Sequence, residues 1–324
     1  MTNNKELLCG ILAGDGDFLI TSHYAPDGDG LSSCIAFRLA LKQLGRRSFI
    51  ANHDPFVERY RFLLDEDEAF IRPDDHKGRV FFNVVVLDTA NIERIGSVAD
   101  MIATDAAVLN IDHHMTNTNF GTVNIVDPKA SSTAQMLIEI LPLCGVKIDR
   151  RIADAILSGI LSDTGGLRFA NTVPAVLEAV KRMMDCGSDM AGISDRLFLR
   201  TDFDEAVKVN RICSEMKLFR KEKIVMAYND QTENPLTENE PVLAVLASIA
   251  EAMVSVFIRK NGEDFYKLSV RSKGDFNVSS FAEKWNGGGH RNAAGIRFYG
   301  SYEELERTLL SELKDLCLKE YGDL

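Results

Sequence analysis

The segment Phe81–Leu87, FFNVVVL, limits the fold more than any other stretch of this chain. It is a near-continuous run of β-branched and aromatic residues, the pattern of a central strand covered on both faces. Such a strand needs helices on both sides of its sheet. Further strands are expected at 18–22 (FLITS), 48–51 and 107–111 (AVLNI). Helical periodicity fills 31–44 and stops at Gly45, a residue suited to the left-handed position after a helix. Ser132 to Gln135 fits a capping box opening a helix toward Leu143. Ile152, Ile156 and Ile160 then share one face of a helix over 151–161. Strand–helix alternation of this kind predicts an α/β domain over 1–190 with a mostly parallel sheet flanked by helices.

At 324 residues the chain exceeds one compact core, so a second domain is expected. Residues 191–221 are charged and helical and read as a connector. Beyond them, 222–324 holds strand patterns at 223–227, 254–259, 265–271 and 296–299. A helix starting near Phe276 and a last one opened by Ser301 and Glu304 complete a smaller α/β domain. The six cysteines are scattered, with no C-x-x-C pair, and are expected to be reduced and mostly core. No secretory-signal pattern and no run of membrane-spanning length occurs, so a soluble, cytoplasmic protein is expected. The formal charge of −11 argues against gripping long nucleic acid, which needs a basic footprint, and favours a small or short ligand.

Chemistry-bearing residues cluster at the ends of these strands, where open α/β sheets bind ligands. His23, Asp27 and Asp29 lie in HYAPDGDG, expected to be a tight loop after the first strand. Asp88 ends VVVLD, Asp112, His113 and His114 follow AVLNI, and Asp163 sits in SDTGG. One aspartate after a strand is ordinarily a cap or turn residue. Four carboxylates and two histidines brought together would repel without cations, and a carboxylate at the end of an apolar strand is costly to bury alone. Carboxylates and imidazoles without thiolate suit Mn²⁺ best, with Co²⁺, Mg²⁺ or Zn²⁺ also compatible. Six ligands exceed one tetrahedral zinc and point to two divalent metal ions sharing a carboxylate, an arrangement that activates water for displacement at phosphorus. His53 and His76 read as surface groups.

In order, HYAPDGDG, VVVLDTA, NIDHH and GILSDTGGLRF resemble the motifs of the DHH superfamily of phosphoesterases. GGGHRNAAG, at 287–295, resembles the substrate-binding loop of a DHHA1 domain. Within that superfamily, length and both domains are similar to the stand-alone oligoribonuclease (nanoRNase) and pAp phosphatase type. The resemblance implies that His23 and Asp27 bind a first metal, that Asp29, His113 and Asp163 bind a second, and that Asp88 bridges them. It implies that His114 faces the substrate phosphate, that Asp112 orients it, and that Arg271, Gly288, Gly289 and His290 bind substrate. Arg168 and Thr133 receive no firm role. The implied substrates are short oligoribonucleotides, 3′-phosphoadenosine 5′-phosphate (pAp) and linear dinucleotides, and a homodimer is implied as well. No long duplex nucleic acid and no membrane is expected as a partner. Rival readings are a cyclic-dinucleotide phosphodiesterase, an inorganic pyrophosphatase and a nucleotide-sensing protein without turnover. Asn286 stands where many relatives extend the glycine run.

Overall fold

A computed structural model describes residues 2–12, 14–64, 70–76, 78–232, 236 and 239–321; the side chains of residues 2–5 and of His290 lie outside the description. The chain forms two compact units, Met1–Arg200 and Thr201–Leu324.

The first unit is built on a six-stranded sheet of β1 (Phe18–Thr21), β2 (Ser48–Ala51), β3 (Phe70–Ile71), β4 (Phe81–Leu87), β5 (Ile102–Asp112) and β6 (Val123–Val126). The order is β3-β2-β1-β4-β5-β6 and every pairing is parallel. The run expected to be central is central. Successive residues of β4 alternate between two cores, because side chains of a strand point to opposite faces. Val85 and Leu87 join Phe18, Ile20, Leu109 and Ile111 on one side. Val84 and Val86 join Leu19, Ile95, Val98 and Met101 on the other. The helices are α1 (Thr2–Leu12), α2 (Gly28–Gln43), α3 (Thr133–Leu143), α4 (Arg150–Asp163), α5 (Pro174–Asp185) and α6 (Met190–Ser194).

The expected helix start at Ser132 is present, with the return bond of the capping box shifted by one residue to the amide of Ser131. The Ser132 hydroxyl accepts from the Gln135 amide at 3.0 Å, and Gln135 Oε1 accepts from the Ser131 amide at 2.8 Å. The expected loop before α2 is a helix start instead. Asp27 is its N-cap, accepting from the amides of Asp29 and Gly30, so Asp29 rides on the first turn. Gly28 permits this, since a Cβ there would collide with the Tyr60 hydroxyl and with Ser162.

One expectation about the cysteines is overturned. Cys9 on α1 and Cys144 at the end of α3 form a disulfide with Cα atoms 5.5 Å apart; Cys34, Cys186, Cys213 and Cys317 are free. The two partners are 135 residues apart, so their meeting depends on tertiary packing and leaves no local spacing signal.

The second unit contains α7 (Phe203–Ser214), β7 (Lys217–Phe219), β8 (Ile224–Asn229), α8 (Glu240–Ala247), β9 (Val254–Gly262), β10 (Phe265–Ser272), α9 (Val278–Glu283), β11 (Gly288–His290), β12 (Ala293–Tyr299), α10 (Tyr302–Leu305) and α11 (Ser311–Tyr321). Its mixed sheet runs β11-β12-β10-β9-β8-β7, with only β8 and β9 parallel among the described pairs. One face packs on α9 and the C-terminal helices through Val278, Phe281, Leu309 and Leu313. The other packs over β8 and β9 on α7 and α8 through Ile212, Val242, Leu246 and Phe257. Residues 191–221 divide between the units. Ile193 and Leu197 are buried in the first core, while Val209, Ile212 and Cys213 belong to the second. Among the described residues no helix is long and apolar enough to cross a membrane.

Candidate metal centre

The carboxyl ends of β1, β4 and β5 open onto one spot. His23 lies just past β1, Asp88 follows β4, Asp112 closes β5 with His113 and His114 after it, and Asp163 ends α4. Asp29, Asp88 and Asp112 are each at most 1% exposed, so these carboxylates depend on protein groups and not on solvent for compensation.

Seven of these side chains offer atoms within 4.8 Å of one another in three overlapping triads: His23, Asp27 and Asp88; Asp29, His113 and Asp163; Asp88, His113 and His114. Asp88 faces two ways. Its Oδ2 lies 3.6 Å from His23 Nε2, and its Oδ1 lies 3.5 Å from His113 Nε2. His113 Nε2 is also 3.2 Å from Asp163 Oδ2, and His23 Nε2 is 3.8 Å from Asp27 Oδ2.

Backbone carbonyls fix the imidazoles. His23 Nδ1 is 2.8 Å from the Tyr24 carbonyl and His113 Nδ1 is 3.2 Å from that of Ala130. A proton on each Nδ1 leaves Nε2 as the donor atom toward the carboxylates, the arrangement in which a histidine binds a metal. Asp88 adopts a positive φ of 54°, a conformation that aspartate tolerates better than most residues and that accumulates at functional sites.

Asp29 is anchored by a contact invisible in the local sequence. Its two oxygens accept from the amides of Thr133 at 2.6 Å and Ala134 at 2.9 Å, the first turn of α3. The Thr133 hydroxyl donates to Asp88 Oδ1 at 3.2 Å. The α3 N-terminus therefore places its positive end on the carboxylate cluster. Thr133, without a role from sequence, acquires one here.

Asp112 sits behind His114, its Oδ1 accepting from His114 Nδ1 at 2.7 Å. Asn117, which sequence reasoning missed, donates to Asp112 Oδ2 at 2.6 Å and lies 2.9 Å from Asn110 Oδ1. Its place five residues after Asp112 carried no spacing rule that would have revealed it.

The electrostatics record the crowding. Burial, then the charges of Asp88 and Asp163, push Asp29 well above the usual carboxylate range. Burial likewise raises Asp163, to about 6, despite its hydrogen bond to His113. Burial works against protonated His23 and His113, but carboxylates outweigh it and hold both well above the ordinary imidazole value: Asp27 and Asp88 for His23, Asp163 first for His113. Asp88 is held low, burial being outweighed by His23 and then by His114 and His113. A cluster that must borrow protons to offset its negative charge fits divalent cations, and its oxygen and imidazole donors suit borderline-hard ones.

In the second unit Arg271 lies on β10, with Nη2 3.6 Å from Glu240 Oε1. The glycine run, expected as a loop, is the edge strand β11: Gly288 pairs with Gly295, Gly289 with Ala294 and His290 with Ala293. Glycine is required because Gly289 has φ 150° and a Cβ there would meet the Ala293 carbonyl. Asn286 takes a left-handed φ of 54°, which asparagine tolerates, so the departure from glycine preserves the turn into the strand. The His290 side chain lies outside the described residues. His53 is a turn residue, its Nδ1 3.0 Å from the Ser97 hydroxyl.

Family comparisons assign the chain that carries this arrangement to the DHH class of phosphoesterases. The DHH family N-terminal domain model matches residues 17–160 and the DHHA1 domain model matches 236–319. The chain is 32% identical over 306 residues to the bifunctional oligoribonuclease and PAP phosphatase NrnA of Thermus thermophilus, covering 93% of this chain and 91% of that protein. It is 27% identical over 308 residues to the Bacillus subtilis protein of the same name, covering 92% and 94%. The fold is shared with an exopolyphosphatase-related protein from Bacteroides fragilis, at TM-score 0.86 and 21% identity over 100% of this chain and 97% of that one. The chain belongs to the DHH/DHHA1 phosphoesterases, alongside the NrnA proteins, and is a hydrolase of phosphate esters.

Proposed function

We propose that this enzyme hydrolyses short oligoribonucleotides, pAp or both, using two divalent ions, with Mn²⁺ the best match. The observation that carries the reading is Asp88, whose two oxygens face different triads, as a carboxylate shared by two ions must. His23 and Asp27 would complete one ion's set, and Asp29, His113 and Asp163 the other's. Ions held there supply Lewis-acid charge and lower the pKa of bound water. The chain's own residues do the rest. Asp112 keeps the proton on His114 Nδ1 and so sets the ring toward the phosphate. The α3 N-terminus adds positive potential where the substrate's negative charge accumulates. Arg271, Gly288, Gly289 and His290 are the candidate nucleotide-binding residues, a role supported by the fork of donors on arginine and the bare backbone of the glycines. The relatives named for oligoribonuclease and PAP phosphatase activity support this substrate class.

The test is Mn²⁺-dependent turnover of labelled RNAs from the dinucleotide upward, with pAp, linear dinucleotides and pyrophosphate in parallel. Rapid loss of the shortest RNAs or of pAp, abolished by Asp88→Asn, is the expected result. Hydrolysis of pyrophosphate alone would replace the reading with a pyrophosphatase. No turnover of any substrate at saturating metal would favour a nucleotide-sensing protein.

A further inference from the structure

His23 lies just past β1 and Asp27 opens α2, so three residues, Tyr24, Ala25 and Pro26, join two members of one triad. The link is conformationally unfavourable on its own. Ala25 sits at φ 50°, a left-handed conformation disfavoured for a residue that has a Cβ and no polar side chain to bond locally. Such a residue persists only where its surroundings over-determine it. The surroundings here come from the three residues after β2, Asn52, His53 and Asp54, none of which has a part in the chemistry above.

Each of the three ties down a different part of the link. Asn52, fully buried, donates through Nδ2 to the Ser22 hydroxyl at 3.1 Å, on the residue before His23. His53 Nδ1 accepts from the Ser97 amide at 3.2 Å, and its ring occupies the space that a Cβ on Gly96 would enter at 2.7 Å. It thereby braces Ile92–Met101, the segment whose Arg94 carbonyl accepts from the Tyr24 amide at 2.6 Å. Asp54 Oδ2 accepts from the amide of Ala25 itself at 2.5 Å. That last bond reaches the imidazole. The Ala25 N–H and the Tyr24 C=O belong to one peptide unit, planar and trans, so they point in opposite directions. The Asp54 carboxylate holds one end of the unit, and His23 Nδ1 lies 2.8 Å from the other.

We propose that Asp54 is a positioning residue that acts on His23 through the Tyr24–Ala25 peptide. The sequence of groups Asp54 carboxylate, Ala25 N–H, Tyr24 C=O and His23 Nδ1–H runs through one rigid plane. Fixing the plane fixes the direction of the carbonyl, which keeps the proton on Nδ1 and turns Nε2 toward Asp27 and Asp88. A carboxylate on the amide also polarises the unit and makes its carbonyl the stronger acceptor. His114 meets its carboxylate directly, in Asp112 at 2.7 Å; His23 meets one across a single peptide. Without Asp54, Ala25 relaxes to negative φ, the plane turns and the His23 ring loses its anchor. Asp29 and His113 keep theirs, in the α3 amides and the Ala130 carbonyl. The proposal rests on the two-ion reading above and confines the effect to the ion held by His23 and Asp27.

The experiment measures Mn²⁺ binding to the whole chain without substrate, by titration calorimetry and by counting bound ions after equilibrium dialysis. Wild type is compared with Asp54→Ala, Asp54→Asn and the double variant Asp54→Ala with Ala25→Gly. Asp54→Ser, whose hydroxyl falls short of the amide, replaces Asp54→Ala if that variant does not fold. Asp54→Ala is expected to weaken one of the two binding steps by about 10- to 100-fold and to leave the other near its wild-type affinity. Asp54→Asn, which keeps an acceptor for the amide, retains most of the affinity. Adding Ala25→Gly recovers about fivefold or more, because glycine takes positive φ without the Cβ penalty. Wild-type affinity in both steps of Asp54→Ala, an equal loss in both, or no recovery from Ala25→Gly would overturn the assignment and leave the two-ion reading standing. Wild type binding fewer than two ions would overturn that reading and the assignment with it.

Discussion

Asp88→Asn separates the metal reading from a merely structural one. The substitution keeps side-chain size and an oxygen able to accept from Thr133, and asparagine tolerates the positive φ of 54° found here. What it removes is the negative charge lying 3.6 Å from His23 and 3.5 Å from His113. A ligand that binds only the folded state stabilises it by RT ln(1 + [L]/Kd), about 2.7 kcal/mol at a hundred times Kd. For a unit of roughly 200 residues that is a rise in Tm of about 5–11 °C. Loss of a residue that only supports a metal ligand typically weakens binding 10- to 100-fold, and a shared ligand should cost at least the upper figure. At the same Mn²⁺ concentration the variant then gains about 0.4 kcal/mol, a rise of about 1–2 °C. In EDTA the variant should melt somewhat lower than wild type, because His23, His114 and His113 hold the Asp88 carboxylate ionised and lose that partner, so the metal shift is read within each protein as Tm in Mn²⁺ minus Tm in EDTA. The assay is thermal unfolding of both proteins in EDTA and across a Mn²⁺ titration. A variant with the full wild-type shift would refute the shared-ligand assignment. One that fails to fold in EDTA would show that Asp88 acts through packing.

Three further outcomes are expected. His23, His113, Asp29 and Asp163 have raised folded-state pKa values, so each contributes stability that is present below its unfolded pKa and lost as pH rises through the folded one. Metal-free protein should therefore lose Tm from mildly acidic to alkaline pH, while its Mn²⁺ affinity rises as protons are displaced; an apo Tm that climbs over that range contradicts the assignment. Asn117→Ala should cut kcat by about 10- to 100-fold with little change in KM, because it frees Asp112 and thereby His114 without touching substrate, and steady-state kinetics beside Asn117→Asp checks the split. Alkylation of unreduced protein followed by mass spectrometry should leave Cys9 and Cys144 unlabelled, and reduction or Cys144→Ser should lower stability by about 2–5 kcal/mol, measured by denaturant unfolding.

Legibility from sequence followed the range of the interactions. The central strand announced itself because burial on both faces demands an unbroken apolar run, and Val84–Leu87 supplies alternate residues to two cores. The clustering of the carboxylates and histidines was legible for a related reason: an aspartate closing such a strand must meet a partner, and the ends of parallel strands collect in one place. What escaped were contacts between segments with no shared periodicity. Asp29 meets the α3 amides across 104 and 105 residues, and Cys9 meets Cys144 across 135. The glycine run differed only in conformation, a strand where a loop was expected, since glycine signals freedom in isolation. Only the register of β11 against β12 showed that it is there for close approach of two backbones.

These misses share a physical logic with the site itself. A cluster of buried carboxylates resists assembly in a metal-free chain, so its members must be held by groups other than the metal. Asp27 is held by the α2 amides, Asp29 by α3, Asp112 by Asn117, and the imidazoles of His23 and His113 by backbone carbonyls. Each tether satisfies one side of a carboxylate or imidazole and leaves the other facing the cluster, so the arrangement is formed by the chain's own groups. The clustered side chains were readable because carboxylates and imidazoles are rare at strand ends; the tethers were not, because amides and carbonyls carry no identity in a sequence. A shell of backbone donors also predicts which residues tolerate change around the centre. Substitutions that keep the α3 N-terminus in place should spare the site even when side chains on that helix differ, whereas displacing the helix start by one residue would misdirect both Asp29 and Thr133 together.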